Sequence, residues 1–299
     1  MAAGAPGPPH QTHQSHPADL LSALRSGDPV IATELRPPRA ELAAREGMDA
    51  WIDTYHAVRR LTRQGTFVLL TDSAVGAAEE DNLRHLVTNL GTDVPRERIV
   101  PFLTTKHPLD YCVSYAERAR QSGFPALVVL GGDRSIGAPR AVAHAWQLRE
   151  LIRSRDPAIA LGGWANPHAD PAAQVRYLTA PDFNAEFYLT QIVSHHSVDR
   201  VRRFLDRGAQ AAIDPPGIFG VFFYRSANPR TLEMLARFLP VPVEGLTKEF
   251  AEGASAEEVC ARTIRALRGA GVRHFYVSNL PIPRAPATLR SILELAHDT

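Results

Sequence analysis

Short apolar runs alternate with longer stretches of helical periodicity along most of the chain. The runs at 30–35, 66–71, 98–105, 125–133, 157–164, 185–191, 217–224 and 273–279 are compact and rich in β-branched or aromatic residues, which predicts strands. Apolar positions at helical spacing predict helices over 48–65, 79–91, 109–123, 138–154, 171–178, 197–208, 228–239, 256–271 and 285–297. A short helix over 17–28, closing near Gly27, precedes the first strand. Each of the eight strands is followed by at least one helix. Strands that are apolar on both faces pair in parallel between helical layers. Eight such units close naturally into a (β/α)8 TIM barrel, read here as a single domain over 18–299. An open doubly wound sheet is the competitor. No G-x-G-x-x-G follows the first strand, and the nearest run, Gly131 to Gly137, has the wrong spacing.

Residues 1–17 break this pattern. They are rich in Pro, Gly, Gln and His, carry little apolar mass and are expected to form a disordered tail. His10, His13 and His16 recur there every three residues.

Composition narrows the classes. Of 299 residues, 44% are hydrophobic and 22% charged, the profile of an ordinary globular protein. Lys and Arg number 33 against 32 Asp and Glu, so the net charge of +1 offers no basic field for nucleic acid or an anionic membrane. No apolar run reaches the roughly 18–20 residues of a membrane span. No Lys or Arg precedes Arg25 and no apolar h-region exists, so the cytoplasm is the expected compartment. Cys112 and Cys260 are the 2 cysteines, which excludes a disulfide scaffold or thiolate zinc site, and no metal is expected. The oligomeric state stays open.

In a closed barrel, chemistry gathers at the C-terminal strand ends. The polar residues there are Glu34, Thr71 with Asp72, Thr104 with Thr105, Asp133, then Trp164, Asn166 and His168, then Gln191, Tyr224 with Arg225, and Asn279. Each has a structural reading as well. Glu34 would pair with Arg36, Asp133 would cap a helix near Ser135, and His168 would sit in a turn. Gln191 would be a satisfied core amide, and Trp164 and Tyr224 would be packing.

Several strand-end segments together are similar to the methylenetetrahydrofolate reductases. They are Thr33-Glu34-Leu35-Arg36-Pro37-Pro38, Pro101 to Thr105, Leu130-Gly131-Gly132-Asp133, Gly163 to His168, Thr190-Gln191, Pro216-Gly217-Ile218 and His274 to Asn279. The likeness runs from about residue 18 to the C-terminus and implies a (β/α)8 barrel that reduces 5,10-methylenetetrahydrofolate to 5-methyltetrahydrofolate. It implies Glu34 as the general acid that opens the imidazolidine ring. It further implies Asp133 and Gln191 on the pterin edge, and Phe223 and Tyr224 against the folate, with Tyr224 stacking. Thr71, Thr104, Trp164 and His168 would meet the redox cofactor. A tetrahydrofolate derivative is then the expected small-molecule partner.

The chain departs from the resembled pattern in the flavin-binding segments. Gly131 replaces an Arg, and Leu178-Thr179-Ala180 replaces a basic run. A dinucleotide pyrophosphate needs such donors or a helix N-terminus. The expectation is therefore that FAD binds poorly or not at all, and that NAD(P)H, with NADH preferred, passes hydride directly to the substrate. A flavin-dependent reductase of the usual type, a methyl-transferring barrel domain and a folate-binding barrel without catalysis are the alternatives.

Overall fold

The structure, a computed structural model, describes residues 19–38, 42, 44–72, 87–88, 90–91, 93–134 and 136–297. The expected tail at 1–17 and most of the helix expected over 79–91 lie outside the described residues. Eight strands follow in order: β1 (Ile31–Leu35), β2 (Phe67–Leu70), β3 (Ile99–Thr104), β4 (Ala126–Leu130), β5 (Ala160–Ala165), β6 (Phe187–Val193), β7 (Gly217–Phe222) and β8 (Phe275–Ser278). Each pairs in parallel with the next, and β8 returns to β1 with Phe275 opposite Ile31. The sheet is a closed (β/α)8 barrel, as the alternation predicts.

The described helices are α1 (Leu20–Arg25), α2 (Ala44–Arg63), α3 (Leu109–Gln121), α4 (Ala145–Arg155), α5 (Pro171–Leu178), α6 (Val198–Gln210), α7 (Pro229–Ala236), α8 (Val243–Ala251), α9 (Ala256–Gly269) and α10 (Ala285–His297). Local chemistry sets their starts. Asp170 accepts from the Ala173 N–H at 2.9 Å and Pro171 opens α5 with its φ preset. Ser255 and Glu258 form a reciprocal capping box on α9. Among the described residues, no helix is long and apolar enough to cross a membrane.

Alternation along each strand divides the core in two. Ala32, Leu69, Val100, Phe102, Val128, Phe187, Leu189, Ile218 and Tyr276 fill the barrel interior. Their neighbours, among them Val68, Leu103, Leu127, Val129, Leu161, Val221 and Val277, pack outward under the helices. Inward parity continues to Glu34 on β1, Trp164 on β5 and Phe222 on β7, so these side chains form the upper layer.

Four glycines stand directly opposite aromatic residues in the strand register: Gly162 opposite Phe187, Gly163 and Gly217 on either side of Tyr188, and Gly220 opposite Tyr276. A Cβ at Gly162 would lie 2.6 Å from the Phe187 ring, and one at Gly220 would lie 2.6 Å from the Tyr276 hydroxyl. The missing side chains are what lets the rings lie flat across the neighbouring strands.

The pairing of β6 with β7 slips once. Leu189 faces Ile218 but Ile192 faces Gly220, so β6 carries one extra residue around Thr190 and Gln191. Side chains hold this bulge. The Gly220 N–H donates to Thr190 Oγ1 at 3.1 Å, and the Tyr276 hydroxyl donates to the Thr190 carbonyl at 2.8 Å.

Two helices differ most from the sequence reading. The helix expected from 138 begins only at Ala145, because Pro139 interrupts it and the segment before it is tied down elsewhere. Lys106, buried at the end of β3, donates to the carbonyls of Ile136 at 2.7 Å and Ala138 at 2.6 Å. Helix α8 was not expected at all. It follows Pro240 and Pro242 and contains Gly245, all weak helix signals, and it exists because Leu246 and Phe250 pack with Tyr224, Leu232 and Val259.

Candidate active site

Glu34 is the penultimate residue of β1 and points up inside the barrel. Ser278, the last residue of β8, donates its hydroxyl to Glu34 Oε1 at 2.8 Å. The Glu34 side chain keeps partial exposure toward the mouth, yet lies deep among protein atoms. Burial raises its pKa above the ordinary 4.5, and the Ser278 hydrogen bond only partly opposes this. The Glu34 charge in turn helps to hold the buried Tyr276 phenol protonated, after burial itself. Arg36 is exposed on the segment after β1. A carboxyl with a raised proton affinity at the head of a barrel is the arrangement a general acid requires.

Gln191 sits at the β6 bulge. Its Oε1 accepts from the Ile192 N–H at 2.9 Å, which leaves the amide NH2 as the end available to a ligand or neighbour. Asp133 stands three residues past β4, partly buried, and its Oδ1 accepts from the Ile136 N–H at 2.9 Å. That bond closes a turn and does not cap a helix near residue 135, since α4 starts at Ala145. The closed topology carries Glu34, Asp133 and Gln191 to the same C-terminal face, from β1, β4 and β6.

A cation missing from the sequence motif is present in space. The Arg140 guanidinium covers Gly131: a Cβ there would lie 2.7 Å from Arg140 Cζ. Arg140 also donates to the Gly132 carbonyl and feels the Asp133 carboxylate. Sequence reasoning missed it because Arg140 is nine positions downstream and within a stretch read as helix.

The cofactor candidates divide. Trp164 is partly buried on the inward side of β5; like Leu130 and Phe222 it packs against the barrel interior, and it presents a flat apolar surface. Thr71 follows β2, and its N–H is used by the Leu35 carbonyl at 3.1 Å. Thr104 and His168 are committed to the protein. Thr104 donates from both N and Oγ1 to Asp72 Oδ2, at 2.7 and 2.9 Å. His168 Nε2 lies 2.8 Å from the Ile192 carbonyl and donates to it, and burial lowers its pKa. His168 is thus a neutral tether that holds the β5 loop to the bulge, which agrees with its structural reading.

The folate candidates on β7 lie elsewhere than the resemblance implied. Phe223 is buried in the layer between sheet and helices. Tyr224 is buried among Leu232, Leu246 and Val259, with its ring 4.8 Å from that of Phe222. Strand β7 ends at Phe222, two residues earlier than expected, so alternation turns Phe222 inward and Phe223 outward. The Tyr224 hydroxyl is buried and, among the described residues, has no hydrogen-bond partner.

Besides Arg140, two groups escaped the sequence reading. Ser278 is one. The other is His107, whose Nε2 lies 2.9 Å from both oxygens of Asp72, which joins the ends of β2 and β3. Both partnerships link residues far apart in sequence and carry no local signature.

No protein-family model matches the chain, and no curated protein matches it. Among solved structures, a protein from Clostridium thermocellum superposes with a TM-score of 0.60 at 15% identity, covering 91% of this chain and 95% of that one. That protein is uncharacterized and binds two copies of 5-methyl-5,6,7,8-tetrahydrofolic acid. A protein from Aquifex aeolicus VF5 superposes with a TM-score of 0.49 at 11% identity, covering 90% of this chain and 89% of that one. At these identities the likeness carries the fold alone.

Proposed function

We propose that this barrel binds a tetrahydrofolate and reduces 5,10-methylenetetrahydrofolate to 5-methyltetrahydrofolate, with NAD(P)H as the direct hydride donor. The observation that carries the reading is Glu34, a carboxyl at the head of β1 whose pKa burial raises and whose Oε1 accepts from Ser278. The barrel neighbour that binds 5-methyltetrahydrofolate, the product of this reaction, supports the substrate class.

The chemistry assigns each group a task. Glu34 gives its proton to the leaving nitrogen of the imidazolidine ring, and the C–N bond breaks to leave an iminium ion at the methylene carbon. Asp133 and the Gln191 amide hold the N–H-rich pterin edge, and the Asp133 carboxylate stabilises the cation. A bound dihydronicotinamide supplies two electrons and a hydrogen to the methylene carbon, which becomes the methyl group. Trp164 and Phe222 are the flat surfaces that would hold that ring, with Thr71 on the same C-terminal face. Thr104 and His168 act through the backbone they fix.

A second reading keeps flavin, and Arg140 favours it, because its guanidinium lies over the Gly131 backbone and could answer a phosphate. The purified protein decides between them. The direct-transfer reading expects a colourless protein that oxidises NADH only when methylenetetrahydrofolate is present. A yellow protein with stoichiometric flavin supports the second reading, and tight folate binding without NADH or NADPH oxidation reduces the barrel to a binding protein.

Ser278→Ala gives a pH test of the acid. Its hydroxyl lowers the Glu34 pKa, so its removal raises that pKa further. A general acid works in its protonated form, and activity falls as pH rises through its pKa. The alkaline limb of the kcat/KM profile is therefore expected to move to higher pH in the variant. An unmoved limb, or one displaced to lower pH, removes Glu34 from the role.

A further inference from the structure

We propose that His195, His196 and Glu249 form a binding site for a divalent metal ion of the zinc type, outside the site described above. His195 and His196 occupy the single turn after β6, and Glu249 lies on α8. One ligand atom from each residue falls within 4.8 Å of the other two. His195 Nε2 is 3.1 Å from Glu249 Oε1, and His196 Nε2 is 3.1 Å from Glu249 Oε2. The edge of a tetrahedron with zinc–ligand bonds of about 2.0–2.1 Å is about 3.3 Å, so the spacing needs little adjustment. Two imidazoles and one carboxylate are the nitrogen and oxygen donors that zinc accepts, with water at the fourth position.

Proton placement points the same way. The Thr263 hydroxyl on α9 donates to the Val259 carbonyl at 3.3 Å and lies 2.9 Å from His195 Nδ1. With its one hydrogen directed to Val259, the Thr263 oxygen accepts from Nδ1–H. Neutral His195 then turns the Nε2 lone pair toward an ionised carboxylate oxygen, a repulsive contact that a cation between them converts to attraction. The Nδ1–H bond is also the usual outer support of a metal-bound histidine.

The surroundings are built to present these atoms. The His196 ring lies against Gly245 of α8 so closely that a Cβ there would overlap it. The two imidazole rings stand 4.0 Å apart, centroid to centroid. Glu249 is buried, and Arg262 on α9 donates to its Oε1 at 2.6 Å. Arg262 competes with the metal for that oxygen, and its side chain is 40% exposed, so it has solvent to swing into. The ion would clip the turn behind Gln191 to α8, a helix whose own sequence supports it weakly.

The test uses the full chain with His10→Ala, His13→Ala and His16→Ala, so that the N-terminal histidines do not contribute. After zinc loading and dialysis, about one ion per chain is expected by elemental analysis, and cobalt is expected to give the visible bands of tetrahedral coordination. His196→Ala, at an exposed position, and Glu249→Gln are each expected to abolish retention. Thr263→Val is expected to weaken binding by about 10–100-fold through loss of the Nδ1 partner. Arg262→Gln is expected to tighten it by removing the competing cation. No retention by the background protein, or retention unchanged in both His196→Ala and Glu249→Gln, overturns the site.

Discussion

Glu34→Gln is expected to lower turnover by about 10²–10⁴-fold, the usual contribution of a positioned acid, while tetrahydrofolate affinity is kept. Glutamine preserves the shape and can still accept from Ser278, but it has no proton to give the leaving nitrogen. The same substitution makes an independent statement about stability. The folded-state pKa of Glu34 lies above its ordinary value of 4.5, so the folded protein binds the proton more tightly than the unfolded chain does. Below 4.5 both states hold the proton and the carboxyl costs nothing relative to glutamine. As pH rises through the folded pKa, the buried side chain must ionise and stability is lost. Glu34→Gln is therefore expected to raise the melting temperature at neutral and alkaline pH, with the gain fading toward pH 4.5. Turnover close to that of the parent would end the catalytic assignment. A gain in melting temperature that is equal at all pH values would end the burial argument.

Arg149→Ala is expected to be the most destabilising single change in the helical layer, at about 3–5 kcal/mol. Arg149 is 1% exposed and is the largest fully buried side chain among the described residues. From α4 it donates to the carbonyls of Val129 at 3.3 Å and Phe183 at 2.7 Å, and to Asn184 Oδ1 at 3.0 Å. Its guanidinium also lies 5.3 Å from the centre of the Phe183 ring. One residue thereby joins β4 to the segment that leads into β6, where Asn184 takes a left-handed φ of 36°. Alanine leaves a void and several acceptors without a donor. For a chain of this size, each kcal/mol corresponds to roughly 2–4 °C, so a fall of about 6–20 °C in melting temperature is expected. A change below about 2 °C would show that water replaces the guanidinium at little cost.

The barrel was legible because its strands are covered on both faces and its helices are amphipathic, so the two periods alternate cleanly. Elements that depend on tertiary support were not. Helix α8 carries Gly245, and the packing of Leu246 and Phe250 with Tyr224, Leu232 and Val259, with the His196 ring against that glycine, explains its presence. The start of α4 was displaced because Lys106, thirty residues upstream, claims the backbone at Ile136. At the candidate site, position along a strand identified Glu34, but Ser278 lies 244 residues away and its hydroxyl pattern is indistinguishable from any other serine. For Tyr224 the difference is one of strand length, because β7 ends at Phe222 and the inward alternation stops before it; Phe223 lies on the outward parity in a strand of either length. Thr104 and His168 lie at strand ends that position along the chain predicts, but their hydrogen bonds to Asp72 and to the Ile192 carbonyl join segments that no local pattern connects.

The glycine–aromatic pairs across β5 to β8 impose a rule on how this barrel can drift. Phe187 sits in the space that a side chain at 162 would take, and Tyr276 in the space belonging to 220. Neither partner can change size alone without a clash or a hole. Divergent relatives are therefore constrained to exchange the two volumes together, small for large and large for small, and the floor beneath Glu34 evolves in steps of two residues.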